Sequence, residues 1–238
     1  MALLALLRHG QSAWNLQNRF TGWVDVPLTP AGEAEAMKAG QLFYELQLRF
    51  DRAYTSVLER AMRTCEIALE RSGQADVRTT RDWRLNERHY GALTGLDKAE
   101  TTARHGADQV QIWRRSYDVP PPPMERGGEH DMSADPRYAG VAVPDGESLK
   151  LTLERVLPYW TAEIAPRLAW GETVLIAAHG NSLRAIVKHL FQVPDDQIVG
   201  VEIPTGNPLL IDLDSKLTPT AARYLDVSRQ QALPPIPA

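Results

Sequence analysis

Two segments of this 238-residue chain are apolar without alternation: Ala2–Leu7 reads ALLALL and Thr173–Ala178 reads TVLIAA. A strand with one wet face alternates apolar and polar residues, so a run that stays apolar needs cover on both faces. Helices packed on either side of a sheet supply that cover. Shorter strand-like runs occur at Ala53–Ser56, Val77–Thr80, Leu209–Leu213 and around Tyr224, with helical patterns between them. The expected fold is α/β: a three-layer α/β/α sandwich around a mostly parallel central sheet.

The punctuation between these runs is readable. Thr29 is an N-cap and Pro30 a first helical residue, opening a helix whose apolar positions are Ala39, Leu42, Phe43 and Leu46. A second helix runs from about Val57 to Arg71 and stops near Gly73. Asp97 and Glu100 have capping-box spacing ahead of a helix to His105, and another follows from about Asp108 to Arg115. Glu147 to Ala165 is a helix bent or ended near Pro158, and Asn181 to Phe191 is the last. Between residues 116 and 146 periodicity vanishes among Pro120 to Pro123, Gly127-Gly128 and Pro136. That stretch is expected to be an irregular loop, either a functional or mobile segment or a solvent-exposed insertion. The tail from about 228 to 238 is expected to be irregular, and 1–238 to form one domain.

Composition narrows the function. Formal net charge is −4, so no general basic field draws the chain to nucleic acid or to an anionic membrane. No apolar run approaches the length of a membrane span, and Met1–Leu7 is short for a signal sequence and lacks a preceding charge. Cys65 is the single cysteine, which excludes an intrachain disulfide and fits a reducing compartment, so a cytoplasmic setting is expected. Cys65 itself reads as packed rather than reactive. The six tryptophans form no stacking array, and Glu129-His130-Asp131 reads as a solvated turn rather than a metal cluster.

Both apolar runs end the same way. Ala2–Leu7 is followed by Arg8-His9-Gly10, and Thr173–Ala178 by His179-Gly180-Asn181-Ser182. Ligands of open α/β sheets bind beyond the carboxyl ends of strands. Adjacent placement of the two strands would bring two imidazoles to one site, with a helix N-terminus at Gly180–Ser182 suited to an anion. Each junction alone is a weak signal; the pair is a much stronger one.

Arg8-His9-Gly10-Gln11-Ser12-Ala13-Trp14-Asn15 resembles the signature of the histidine phosphatase superfamily. Phe20–Thr29, Leu85–Leu93, Gln111–Arg115, Ala177–Arg184 and Ile203–Gly206 are similar to its cofactor-dependent phosphoglycerate mutase branch, and the likeness spans roughly residues 3 to 213. The resemblance implies that His9 is the nucleophile carrying a phosphoryl group. It implies that protonated His179, Arg8 and Arg60 stabilise the equatorial oxygens, and that Glu87 is the acid/base. Arg88, His89, Lys98, Arg114 and Arg115 would hold the rest of an anionic substrate, and Ser12, Asn15, Thr21, Gly22, Tyr90, Gly180 and Asn181 would add neutral hydrogen bonds. On spacing alone the favoured readings are a basic helix end for Arg114-Arg115 and a solvated loop carboxylate for Glu87.

The implied reaction interconverts 3-phosphoglycerate and 2-phosphoglycerate, with 2,3-bisphosphoglycerate as cofactor and no metal. A phosphatase, or a bisphosphoglycerate mutase or phosphatase, is the alternative on the same scaffold. A catalytically dead binding protein is disfavoured because both histidines, Arg8 and Glu87 are present. The partners implied are small phosphoglycerates, and the family includes monomers and homo-oligomers. Mutases of this branch often carry a Lys- and Ala-rich tail, whereas Leu233–Ala238 reads LPPIPA, so loose closure and an appreciable phosphatase leak are expected.

Overall fold

The computed structural model describes residues 2–237. In chain order the elements are β1 (Ala2–Arg8), α1 (Ala13–Leu16), α2 (Pro30–Glu45), β2 (Arg52–Thr55), α3 (Glu59–Arg71) and β3 (Thr79–Arg81). Next come α4 (Lys98–His105), α5 (Ala107–Arg115), α6 (Leu149–Tyr159), a π-helical turn (Trp160–Ile164) and α7 (Ala165–Ala169). The chain finishes with β4 (Thr173–Ala178), α8 (Gly180–Leu190), β5 (Leu209–Leu213) and β6 (Pro219–Tyr224).

The strands form one six-stranded sheet in the order β3-β2-β4-β1-β5-β6. β1, β2, β3 and β4 pair in parallel, while β5 runs antiparallel to both of its neighbours, so the sheet is mixed. The two apolar runs are its central strands. Leu4 and Leu6 face one core with Val174, Ile176 and residues of α6 and α8. Ala5 and Leu7 face the other, with Leu175, Ala177, Ala39 and Phe43 of α2, and Cys65, Ala68 and Leu69 of α3. The unbroken apolar pattern is thus explained by helices on both faces.

Caps and breaks follow local chemistry. The Thr29 hydroxyl accepts from Gly32 N–H at 3.1 Å and Pro30 is the first residue of α2. The inward face of α2 is smaller than its apolar residues suggest: Gly32, Ala36, Ala39, Gly40 and Phe43 are buried, whereas Leu46 is 55% exposed at the C-cap. The reason is close helix contact, since a Cβ on Gly40 would lie 2.4 Å from the Ala68 carbonyl oxygen of α3. β3 begins two residues later than Val77, and α6 begins at Leu149 behind a Ser148 cap. Pro158 lies in the last turn of α6, directly before the π turn, as expected where a ring removes an N–H from the helical ladder.

Residues 116–146 are irregular apart from a 3₁₀ turn at Pro136–Tyr138, yet the stretch is not simply solvated. Tyr138 and Val143 are buried against Trp23. Asn86 Nδ2 donates to the Tyr138 hydroxyl at 2.9 Å, and Arg137 pairs with Asp25. Asp131 closes its own turn by accepting from Gly127 and Ser133 N–H groups. At the other end of the chain, Arg229 donates to the Thr205 carbonyl and to Glu35, tying the last segment to the strand-end region beside Arg8.

Candidate active site

β1 and β4 are neighbours in register, with Arg8 opposite Ala178, so His9 and His179 leave the sheet side by side. The His9 N–H continues the ladder to the Ala178 carbonyl at 2.9 Å. The ring centroids are 5.0 Å apart, and both residues are buried. Gly10 is needed here: a Cβ would stand 2.1 Å from the Gly32 carbonyl oxygen, so only glycine lets the loop pass the start of α2.

His9 Nδ1 lies 2.7 Å from the Gly10 carbonyl oxygen. A carbonyl only accepts, so Nδ1 carries the hydrogen and Nε2 keeps its lone pair. Burial first, then the charges of Arg60 and Arg8, hold the His9 pKa well below the ordinary histidine value. The imidazole is therefore neutral and nucleophilic at neutral pH.

His179 is also held well below its ordinary pKa, by burial and then by Arg60. The protonated form expected of His179 is thus disfavoured by its protein surroundings alone. Ser56 Oγ lies 2.7 Å from His179 Nε2 and already accepts from Leu58 N–H. The hydroxyl has a second lone pair as well as its hydrogen and so serves either tautomer; with the imidazole hydrogen on Nδ1, it donates to Nε2. His179 Nδ1 is buried without a partner among the described residues, as are Arg8 Nε and Arg60 Nε. In the Nδ1–H tautomer all three are unpartnered donors, which suit the oxygens of an anion such as a phosphoryl group, and a dianion would itself raise the His179 pKa.

Arg60 is fully enclosed on α3, where its terminal nitrogens also donate to the Gly22 and Val24 carbonyls at 2.8 and 2.9 Å. Gly22 adopts φ +60°, a glycine-favouring conformation that turns the loop toward Arg60. Burial lowers the Arg60 pKa to about 10, still cationic at neutral pH. Thr21 lies beside it and is 7% exposed. Ser12 and Asn15 cap α1 reciprocally, each side chain accepting from the other's backbone N–H. The Ser12 hydroxyl is thus engaged in structure.

Glu87 is 7% exposed, and its Oε1 accepts from the Arg88 N–H at 2.7 Å and the Asn181 N–H at 3.1 Å. The second contact places the carboxylate at the N-terminus of α8, where helix polarity favours negative charge. The Glu87 carbonyl is gripped from behind by Trp23 Nε1 at 2.6 Å and Arg155 Nη2 at 3.0 Å. Arg155 also donates to the Arg84 and Asn86 carbonyls and pairs with buried Glu147.

Beyond this floor a polar cleft is lined by Arg8, Glu87, Tyr90, Arg114, Arg115, Gly180, Asn181, Arg184, Glu202 and Ile203. Arg114 and Arg115 stand in the last turn of α5 and also line the cleft. Lys98 is partly buried, with its pKa lowered by burial and by nearby Arg114 and Arg8. Asn181 Nδ2 donates to the Tyr90 hydroxyl at 3.3 Å.

Ser12, Asn15, Thr21, Gly22, Arg60 and Lys98 do not line this cleft, and neither do Arg88 and His89. Arg88 is wholly buried behind Tyr90, 4.7 Å from its ring, and donates to the Arg114 carbonyl. His89 is 2% exposed; its N–H donates to Glu147, its Nδ1 accepts from Gly91 N–H, and burial lowers its pKa to about 4. Both hold the loop rather than face the cleft.

Four residues escaped the sequence reading. Ser56 follows the carboxyl end of β2, next to β4, and so carries the same positional signal as His9 and His179. Arg184 lies one turn after Asn181 and donates to its Oδ1 at 2.9 Å. Glu202 and Arg155 carry no local signal, because their roles arise only from distant packing.

Adjacent parallel strands deliver paired imidazoles beside the enclosed guanidinium of Arg60, and that arrangement defines an anion-binding site at the carboxyl end of the sheet. Residues 4–218 match the histidine phosphatase superfamily (branch 1), and the chain belongs to that family. It is 66% identical over 236 residues to a 2,3-bisphosphoglycerate-dependent phosphoglycerate mutase of Caulobacter sp. (strain K31), covering 99% of this chain and 100% of that one. It is 60% identical over 237 residues to the enzyme of the same name from Hyphomonas neptunium, covering 100% of both. Among solved structures, a mycobacterial glucosyl-3-phosphoglycerate phosphatase superposes with TM-score 0.70 at 23% identity, covering 95% of this chain and 98% of that one. The Bacillus stearothermophilus protein YhfR superposes with TM-score 0.70 at 24% identity, covering 92% and 94%. These superpositions bear on the fold alone.

Proposed function

We propose that this protein interconverts 3-phosphoglycerate and 2-phosphoglycerate through a phosphohistidine on His9, with 2,3-bisphosphoglycerate as both intermediate and primer. The observation that carries the reading is a site with two anion-holding ends. One is the floor of His9, His179, Arg8 and Arg60 with its orphaned donors; the other is the cleft wall of Arg114 and Arg115. A general phosphatase needs only the first. The full-length similarity to curated mutases supports the same choice.

In the proposed cycle the phosphorylated His9 faces a bound monophosphoglycerate. Glu87 takes the proton of the free hydroxyl as that oxygen bonds to phosphorus and the P–N bond to His9 breaks. After the bisphosphate reorients, His9 Nε2 bonds to the other phosphorus, the P–O bond breaks, and Glu87 returns the proton to the leaving oxygen. Arg8, Arg60 and His179 Nδ1–H hold the equatorial oxygens throughout, and donors so placed are each worth about 10²–10³ in rate. The 2,3-bisphosphoglycerate primer fits the same two ends and supplies the first phosphoryl group. One domain in a cytoplasmic setting completes the reading.

The test is turnover of 3-phosphoglycerate with and without added 2,3-bisphosphoglycerate, repeated with a chelator. Activity stimulated by the bisphosphate, insensitive to the chelator and abolished in His9→Ala is expected. Mutase activity that survives His9→Ala overturns the reading, and phosphate release without isomerisation favours the phosphatase.

A further inference from the structure

Arg115 of α5 forms an ion pair with Glu202, and both residues line the cleft beside Arg8, Asn181 and Arg184. The Glu202 side chain is 42% exposed and Arg115 22%, so the carboxylate reaches from the more solvated side onto a partly exposed guanidinium. Glu202 is held at its backbone: the Tyr224 hydroxyl donates to its carbonyl at 3.1 Å, and Arg8 donates to the next carbonyl, Ile203, at 2.9 Å. It is also among the charges that act on Arg184. A tethered carboxylate thus occupies the cation that a substrate's second acidic group would use.

We infer that Glu202 is an internal stand-in for that acidic group, a latch that the carboxylate of an incoming phosphoglycerate displaces from Arg115. This rests on the proposed function, because it assigns Arg115 to the non-transferring end of the substrate. Two consequences follow. The latch neutralises Arg115, which would otherwise stand as an uncompensated charge beside Arg8 and Arg184. It also charges each binding event the exchange of one ion pair for another, which weakens affinity for any ligand that needs Arg115. Ligands that use only the His9 floor escape that cost. Glu202 therefore sets affinity at the far end of the site without touching the reacting atoms.

The experiment measures dissociation constants by titration calorimetry for two probes, 3-phosphoglycerate and orthovanadate, on the full chain and on Glu202→Gln and Glu202→Ala. Glutamine keeps size and loses charge; alanine removes the reach altogether. In both variants 3-phosphoglycerate is expected to bind about three- to ten-fold more tightly, the scale set by freeing a partly exposed pair and removing a like charge from the cleft. Orthovanadate, which mimics the transferring group at His9, is expected to keep its affinity within about two-fold. Unchanged or weaker 3-phosphoglycerate binding in the two variants overturns the latch. Equal tightening of both probes overturns it as well, since that reports a general change in cleft potential. These are equilibrium measurements, so they decide the latch whether or not the protein turns over, whereas a failed mutase assay counts against the proposed function alone.

Discussion

At His9 and His179 burial and neighbouring arginines act together to keep the rings neutral, and at His89 burial does so despite Glu147. The consequence for stability has a definite sign. Each folded-state pKa is below the unfolded value near 6.5, so the unfolded chain binds more protons as pH falls, and stability present above 6.5 is lost below it. For His89, with its pKa lowered to about 4, the loss is on the order of 3 kcal/mol by pH 4. Denaturant titrations at pH 7.5 and pH 5 are expected to show it as a fall in midpoint, diminished in His89→Gln. Equal midpoints would contradict the buried neutral state. The sequence announces His9, His179 and Glu87 because they belong to continuous motifs. It is silent on the fate of Arg88 and His89, whose neighbours Arg114 and Glu147 come from distant segments.

The elements that carry these residues are held by a few substitutable contacts. Gly40 lets α2 and α3 touch, and Gly40→Ala would drive a Cβ to within 2.4 Å of the Ala68 oxygen and 2.7 Å of Arg71 Cβ. Overpacking of this kind costs about 1–3 kcal/mol, which a thermal melt would record as a lowered Tm. Arg155 holds three carbonyls of the 84–87 segment while paired with Glu147, at side-chain exposures of 9% and 4%. Arg155→Met leaves a buried carboxylate unpaired, expected to cost about 3–5 kcal/mol and to lower kcat by loosening Glu87. A variant of full stability and full activity would refute the brace. Strand runs and caps were legible at this scale: β4 and β5 match the expected spans residue for residue. The face of α2 was not, because close helix contact selects glycine and alanine, which hydrophobicity does not register. The packing of residues 116–146 was likewise hidden, since it rests on tertiary contacts of Tyr138 and Val143 with Trp23.

Across the whole molecule, a formal charge of −4 surrounds a cleft in which Arg8, Arg114, Arg115 and Arg184 converge. A local cationic field inside an acidic protein steers anions only over about a Debye length, about 10 Å at 0.1 M salt. The KM for phosphoglycerate is therefore expected to rise steadily with sodium chloride between 20 and 300 mM, and steady-state kinetics would show a flat response if the field were unimportant.

The central strand pair also has a history within each molecule. β1 is synthesised well before its partners, residues 173–178 and 209–213. Until those are made, the most apolar segment of the chain has unpaired edges and no sheet to join. Such long-range pairing slows folding and exposes the early chain to association with itself or with chaperones. The same arrangement keeps the two imidazoles apart until residue 179 has been made, so a shorter nascent chain carries no paired histidines.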